Sequence, residues 1–214
     1  MTLVAIDGPA GAGKSSVAAG VAARLGLERL DTGAMYRAIT LASLRAGIDP
    51  ADGTAIAKLL TGSAIYVGEQ VLLDGEDVTV EIRSAHVTAA VSQVAAHPEV
   101  RQELVARQRA WAEHRRGGVV EGRDIGSVVF PDATLKIYLT ASTEERGRRR
   151  ASQEQRGDAA TWAAATELEN RDQLDSSRQA SPLVVAPGAH VIDSTKATLE
   201  EVVEQVLELL PCTQ

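Results

Sequence analysis

The chain has 214 residues, 44% hydrophobic and 24% charged, with 22 basic and 29 acidic side chains for a net charge of -7. That composition supports one globular domain, or one domain carrying insertions. It excludes a disordered tail, a coiled coil and a disulfide scaffold, and the acidic balance argues against a dedicated nucleic-acid binder. The one cysteine, Cys212, can form no internal bridge. The first apolar run, from Leu3, stops at Asp7, and no stretch approaches the ~20 apolar residues of a membrane span, so a cytoplasmic protein without a membrane partner is expected.

In chain order, Thr2–Ile6 reads as a strand followed by a glycine-rich loop. Lys14–Leu25 reads as a helix with Val17, Val21 and Leu25 in one stripe and Gly26 as a left-handed cap. Leu27–Leu30 predicts a second strand and Tyr36–Ala46 a helix closing before Gly47. Ala64–Val80 predicts short antiparallel strands, Ile65 with Val67, Val71 with Leu73 and Val78 with Val80, turned at Asp74-Gly75. Gly118–Val120, Leu135–Leu139 and His190–Ile192 predict three more strands. Ser142–Ala180 reads as an Arg-rich helical stretch with few apolar anchors, of the kind a ligand orders. Thr198 and Glu201 form a capping box for a last helix whose apolar face runs Leu199, Val202, Val203, Val206, Leu207, Leu210. Strands alternating with helices predict an α/β fold around a parallel sheet.

Gly8-Pro9-Ala10-Gly11-Ala12-Gly13-Lys14-Ser15 matches G-x-x-x-x-G-K-[ST] at every position, directly after a strand and opening a helix. Such a loop turns backbone N–H groups and a helix N-terminus toward phosphates. It predicts a nucleoside triphosphate bound by Gly8 to Ser16, with Lys14 on the β- and γ-phosphates and Ser15 on Mg²⁺. No Asn-Lys-x-Asp guanine tetrad is present, since Asn170 is the only asparagine and Arg171 follows it. Val119-Val120-Glu121 is an ambiguous acidic strand end, so Glu121 is not assigned to the metal.

Arginine dominates the cations, 18 against 4 lysines, and its fork of donors suits phosphate. Three clusters stand out: Asp31-Thr32-Gly33-Ala34-Met35-Tyr36-Arg37, Glu121-Gly122-Arg123-Asp124-Ile125-Gly126, and Arg171-Asp172 with Asp175 and Arg178. The first two follow strands, where parallel α/β sheets bind ligands. His86, His97, His114 and His190 lack metal-ligand spacing, Trp111 and Trp162 are expected to be packing anchors, and Thr32 a cap or loop former.

With these motifs the sequence resembles the bacterial cytidylate kinases, of the nucleoside-monophosphate kinase group. The resemblance runs from Leu3 to about Leu210 and includes Ser92-Gln93-Val94-Ala95, Val100-Arg101, Gly122 to Ala133 and Asp175-Ser176-Ser177-Arg178. It implies a P-loop kinase fold with a five-stranded parallel sheet, a small antiparallel insertion and a helical lid. The domain would span 1–214, with a monophosphate-binding insertion at about 32–105 and a lid at about 142–180. It further implies ATP-dependent phosphorylation of CMP and dCMP by a monomer with no nucleic-acid partner. Thr32 would belong to the monophosphate site. Ser92, Arg101 and Asp124 would contact cytosine, Arg171 and Asp175 the sugar, and Arg37, Arg123 and Arg178 the acceptor phosphate, the arginines acting catalytically with Lys14. Arg146 and Arg149 to Arg150 resemble lid residues that close on the triphosphate. The alternatives are a kinase for another monophosphate such as UMP and a non-catalytic P-loop module.

Overall fold

A computed structural model describes residues 2–153, 160–178 and 181–211. Cys212, and residues 154–159 and 179–180 of the expected lid, lie outside the described residues. In chain order the elements are β1 (Thr2–Asp7), α1 (Lys14–Leu25), β2 (Arg29–Asp31), α2 (Thr32–Arg45) and α3 (Gly53–Gly62). There follow β3 (Ile65–Val67), β4 (Val71–Leu73), β5 (Glu76–Asp77), α4 (Ala85–Val94) and α5 (Pro98–His114). The last are β6 (Gly117–Glu121), β7 (Leu135–Thr140), α6 (Thr143–Gln153), α7 (Thr161–Ser176), β8 (His190–Asp193) and α8 (Leu199–Glu208). The chain packs as two units, Met1–Arg29 with Arg115–Gln214, and Leu30–His114.

The five-stranded sheet has the order β2-β6-β1-β7-β8, and β1 runs parallel to both β6 and β7. A central strand covered on both faces reads as a continuous apolar run, and Leu3, Val4, Ala5 and Ile6 are accordingly buried. Its exit needs glycine. Gly8 has a φ of 147°, and a Cβ there would lie 2.0 Å from the Leu139 carbonyl oxygen. Val17 and Val21 of α1 and Val202, Val203 and Val206 of α8 close the core over Val4, Ile6, Val119 and Ile137. Gly26 caps α1 in the left-handed conformation, and the Thr198–Glu201 capping box opens α8. On the expected apolar face of α8, Val202, Val203 and Val206 are buried and Leu207 and Leu210 pack against the core, whereas Leu199 is half exposed.

The predicted lid segment forms α6 and α7. Their close approach depends on Gly147, where a Cβ would stand 2.6 Å from the Thr161 carbonyl oxygen. Ala151, Ala164, Ala165 and Leu168 are the buried apolar anchors. Trp162, at the start of α7, is not one of them: it is 78% exposed.

In the second unit, α2 begins at Thr32, four residues before the expected start, because the Asp31 carboxylate accepts the Ala34 N–H at 3.0 Å. Asp31, not Thr32, is therefore the cap. Ala34, Ala38 and Leu41 pack on Val71, Leu73, Val78, Ile82 and Val87. The antiparallel sheet β3-β4-β5 turns at Asp74 and Gly75, both left-handed, as a two-residue hairpin requires. Its last strand falls at Glu76–Asp77 rather than Val78–Val80. Asp77 Oδ1 accepts the Thr79 N–H (2.9 Å) and hydroxyl (2.5 Å), which turns the chain out of the ladder and leaves Val80 86% exposed. Helices α3, α4 and α5 have no counterpart in the sequence-based expectations.

Candidate active site

The loop from Gly8 to Ser16 joins β1 to α1. Lys14 folds back within it, its ammonium donating to the Pro9 carbonyl at 2.7 Å. Burial, aided by the nearby charges of Arg123 and Arg171 and opposed by Glu121 and Asp172, pulls its pKa down from 10.5 to about 7. The Ser15 hydroxyl donates to Glu121 Oε2 at 2.8 Å, and Arg29 donates to Glu121 Oε1, also at 2.8 Å. Glu121, at the end of β6, is only 3% exposed. A hydroxyl and a carboxylate oxygen side by side suit a hard cation such as Mg²⁺. No group of three His, Cys, Asp or Glu that could hold a metal exists among the described residues, so phosphates and water would complete the shell. Sequence spacing hid this pair, since 106 positions separate its members.

Beyond β6 lies a second group in the same unit. Arg123 Nε donates to Asp175 Oδ2 at 2.9 Å, and Arg178 donates to Asp175 Oδ1. Burial pushes the Asp175 carboxyl up, but Arg123, Arg178 and Arg171 outweigh it and hold it below the usual carboxylate range. Arg178 lies past the end of α7, so Arg171, Asp175 and Arg178 do not share one helix face. Asp175 is 1% exposed, and this is no solvated stripe. Asp124 is likewise buried, and the chain after it makes a π-helical turn over Ile125–Val129. Arg123 pairs with Asp175 and not with its sequence neighbour Asp124.

The arginines of α6 divide by face. Arg146, on α6, donates to the Ala10 carbonyl at 3.1 Å and to Asp172, whose other oxygen accepts the Ala10 N–H at 2.9 Å. Arg149, one turn on, donates to the Ala12 carbonyl (3.3 Å) and to the Ser194 hydroxyl (3.0 Å) and carbonyl (2.7 Å). Arg148 instead pairs with Glu145 and is mostly exposed. Asp172 was visible in the sequence only as the neighbour of Arg171.

The second unit holds Thr32, Arg37, Ser92 and Arg101, all buried. Arg37 donates to the Ile82 carbonyl (3.0 Å) and the Thr88 hydroxyl (2.9 Å). The Arg101 guanidinium lies 5.6 Å from the centroid of Tyr36, the residue before Arg37 on α2, within cation–π range.

A parallel sheet carrying this loop, with buried lysine and arginines gathered beyond its strands, defines a P-loop kinase. The solved structure of a sugar kinase from Janibacter sp. HTCC2649 has the same fold, with a TM-score of 0.51 at 16% identity over 97% of this chain and 93% of that one. The sequence profile of the family described as cytidylate kinase matches residues 4–211. The cytidylate kinase of Mycobacterium avium is 50% identical over 97% of this chain and 94% of its own length. That of Mycobacterium leprae is 52% identical over 97% and 95%. The chain belongs to the cytidylate kinase family, and it is a phosphotransferase.

Proposed function

We propose that this chain transfers the γ-phosphoryl group of ATP to CMP and dCMP, breaking the bond to the β-phosphate and forming one to an acceptor-phosphate oxygen. Membership of the family supports the cytidine acceptor. The observation that carries phosphoryl transfer is the cradle of the first unit: Lys14 is buried within the P-loop, its ammonium on the Pro9 carbonyl at 2.7 Å, and the Ser15 hydroxyl donates to Glu121 Oε2 at 2.8 Å. A buried cation inside a loop of backbone N–H groups at a helix N-terminus is matched to a polyphosphate.

The roles are those the family resemblance implies, and the chemistry of the residues supports them. The P-loop from Gly8 to Ser16 binds ATP, with Lys14 at its terminal phosphates. Mg²⁺, held by Ser15 beside Glu121, neutralises phosphate charge when bound. Arg37, Arg123 and Arg178 hold the acceptor phosphate, Arg171 and Asp175 the sugar, and Thr32 lies in the monophosphate site. Ser92, Arg101 and Asp124 read the base. Cytosine offers an amino donor at N4 where uracil has a carbonyl, so a buried carboxylate at Asp124 favours cytosine. The acceptor phosphate, with a second pKa of about 6, is largely dianionic at neutral pH and needs no general base. Positioning and charge stabilisation then account for catalysis. In this scheme residues of about 32–105 form the monophosphate-binding region, and about 142–180 form a lid that excludes water. The enzyme works as a cytoplasmic monomer on free nucleotides.

Lys14→Ala tests the proposal. ADP and CDP formation should fall about 10²- to 10³-fold, the loss typical of removing one transition-state donor. Undiminished turnover would refute it.

A further inference from the structure

Asp7, the last residue of β1, is a buried acid that the proposed chemistry does not use. It is 3% exposed, and both its oxygens are engaged by consecutive peptides: Oδ1 accepts the Ile125 N–H at 2.8 Å and Oδ2 the Gly126 N–H at 2.7 Å. These are the first two amides after Asp124. Upstream, the Gly122 N–H still bonds to the Ile6 carbonyl at 3.0 Å, as β6 leaves the sheet. Downstream, Val129 N–H to Asp124 O (3.1 Å) and Phe130 N–H to Ile125 O (2.7 Å) close a π turn, a rare geometry that recurs at functional sites. Asp124 thus sits between a strand end and a π turn, and the Asp7 carboxylate fixes the orientation of the two peptides that follow it.

The choice of an acid is informative. Burial raises the Asp7 carboxyl to about 6 despite the two amide donors, and the charge of Asp124 pushes the same way. An uncharged side chain would sit there at lower desolvation cost. Only a carboxylate, however, offers two equivalent acceptors to two successive N–H groups. An asparagine would turn its NH₂ toward one of them.

We infer that Asp7 is a positioning residue for acceptor recognition, holding the Ile125 and Gly126 amides so that Asp124 meets the base in one geometry. This rests on the proposed base-reading role of Asp124. It assigns to the strand leading into the ATP loop a share in choosing the other substrate.

The experiment compares kcat/KM for CMP and UMP, and KM for ATP, in the wild type, Asp7→Asn, Asp124→Asn and the double variant. Asp7→Asn should lower the CMP-to-UMP ratio about tenfold, leave KM for ATP within about twofold, and add nothing to the ratio in the Asp124→Asn background. An unchanged ratio, with activity lost equally on both acceptors, would overturn the inference. If Asp124→Asn lowers the ratio and Asp7→Asn does not, only the role of Asp7 falls. If Asp124→Asn itself leaves the ratio unchanged, the base-reading assignment falls. Asp7→Ser, which accepts one N–H without a charge, should lower the ratio too. Failure of both Asp7 variants to fold would make Asp7 a determinant of the fold and overturn the inference.

Discussion

Asp172 on α7 takes the N–H of Ala10 through one carboxylate oxygen, at 2.9 Å, and the guanidinium of Arg146 through the other. Arg146 in turn donates to the carbonyl of Ala10, at 3.1 Å. Both polar groups of one P-loop residue are therefore engaged by an ion pair drawn from two helices. A carboxylate on an N–H of this loop competes with phosphate oxygens for it, and its charge opposes theirs. It also holds Arg146 in place.

Asp172→Ala should separate these two effects. Removing one like charge near the phosphates is worth about 1 kcal/mol, so nucleotide binding should tighten roughly fivefold. Loss of the Arg146 anchor should lower kcat at least about tenfold. Calorimetric titration with ADP, together with steady-state kinetics, gives both numbers. Weaker ADP binding with unchanged kcat would contradict this account of the contact.

The depressed pKa of Lys14 predicts a proton linkage. In the chain alone the ammonium titrates at about 7 instead of 10.5. Bound phosphates favour its charged form and raise that value. Above pH 7, ADP binding should therefore take up a proton, and affinity should fall by up to about tenfold per pH unit. Below pH 7 the lysine is already charged and this slope vanishes. The same shift costs folding stability below pH 7, a cost relieved as pH rises toward 10.5. Titrations at pH 8 in buffers of different ionisation enthalpy measure the uptake, and Lys14→Ala should abolish it. No uptake in the wild type would contradict the assignment.

Local signals were legible from the sequence. The P-loop, the boundaries of α1 with Gly26, the Asp74-Gly75 hairpin and the Thr198–Glu201 box each depend on residues within a few positions of one another. Helix α5 was not legible, because its buried face runs Val100, Arg101, Leu104, Gln108, Ala112 and two of these five are polar. The third strand of the hairpin sheet moved because Thr79 folds back onto Asp77, a turn its β-branched neighbours disguise. The partners Glu121 for Ser15 and Asp172 for Ala10 lie 106 and 162 positions away, beyond the reach of any periodicity. Arg146 and Arg149 face the P-loop while Arg148 faces solvent, a division that appears only once the phase of α6 against the loop is known.

The most direct measurement is ADP release by the wild-type chain, with ATP and Mg²⁺, across CMP, dCMP, UMP, AMP and GMP. A buried carboxylate that reads an amino donor predicts kcat/KM for CMP and dCMP at least about tenfold above UMP, with the purine nucleotides poorer still. Turnover of UMP or AMP equal to or faster than that of CMP would contradict it.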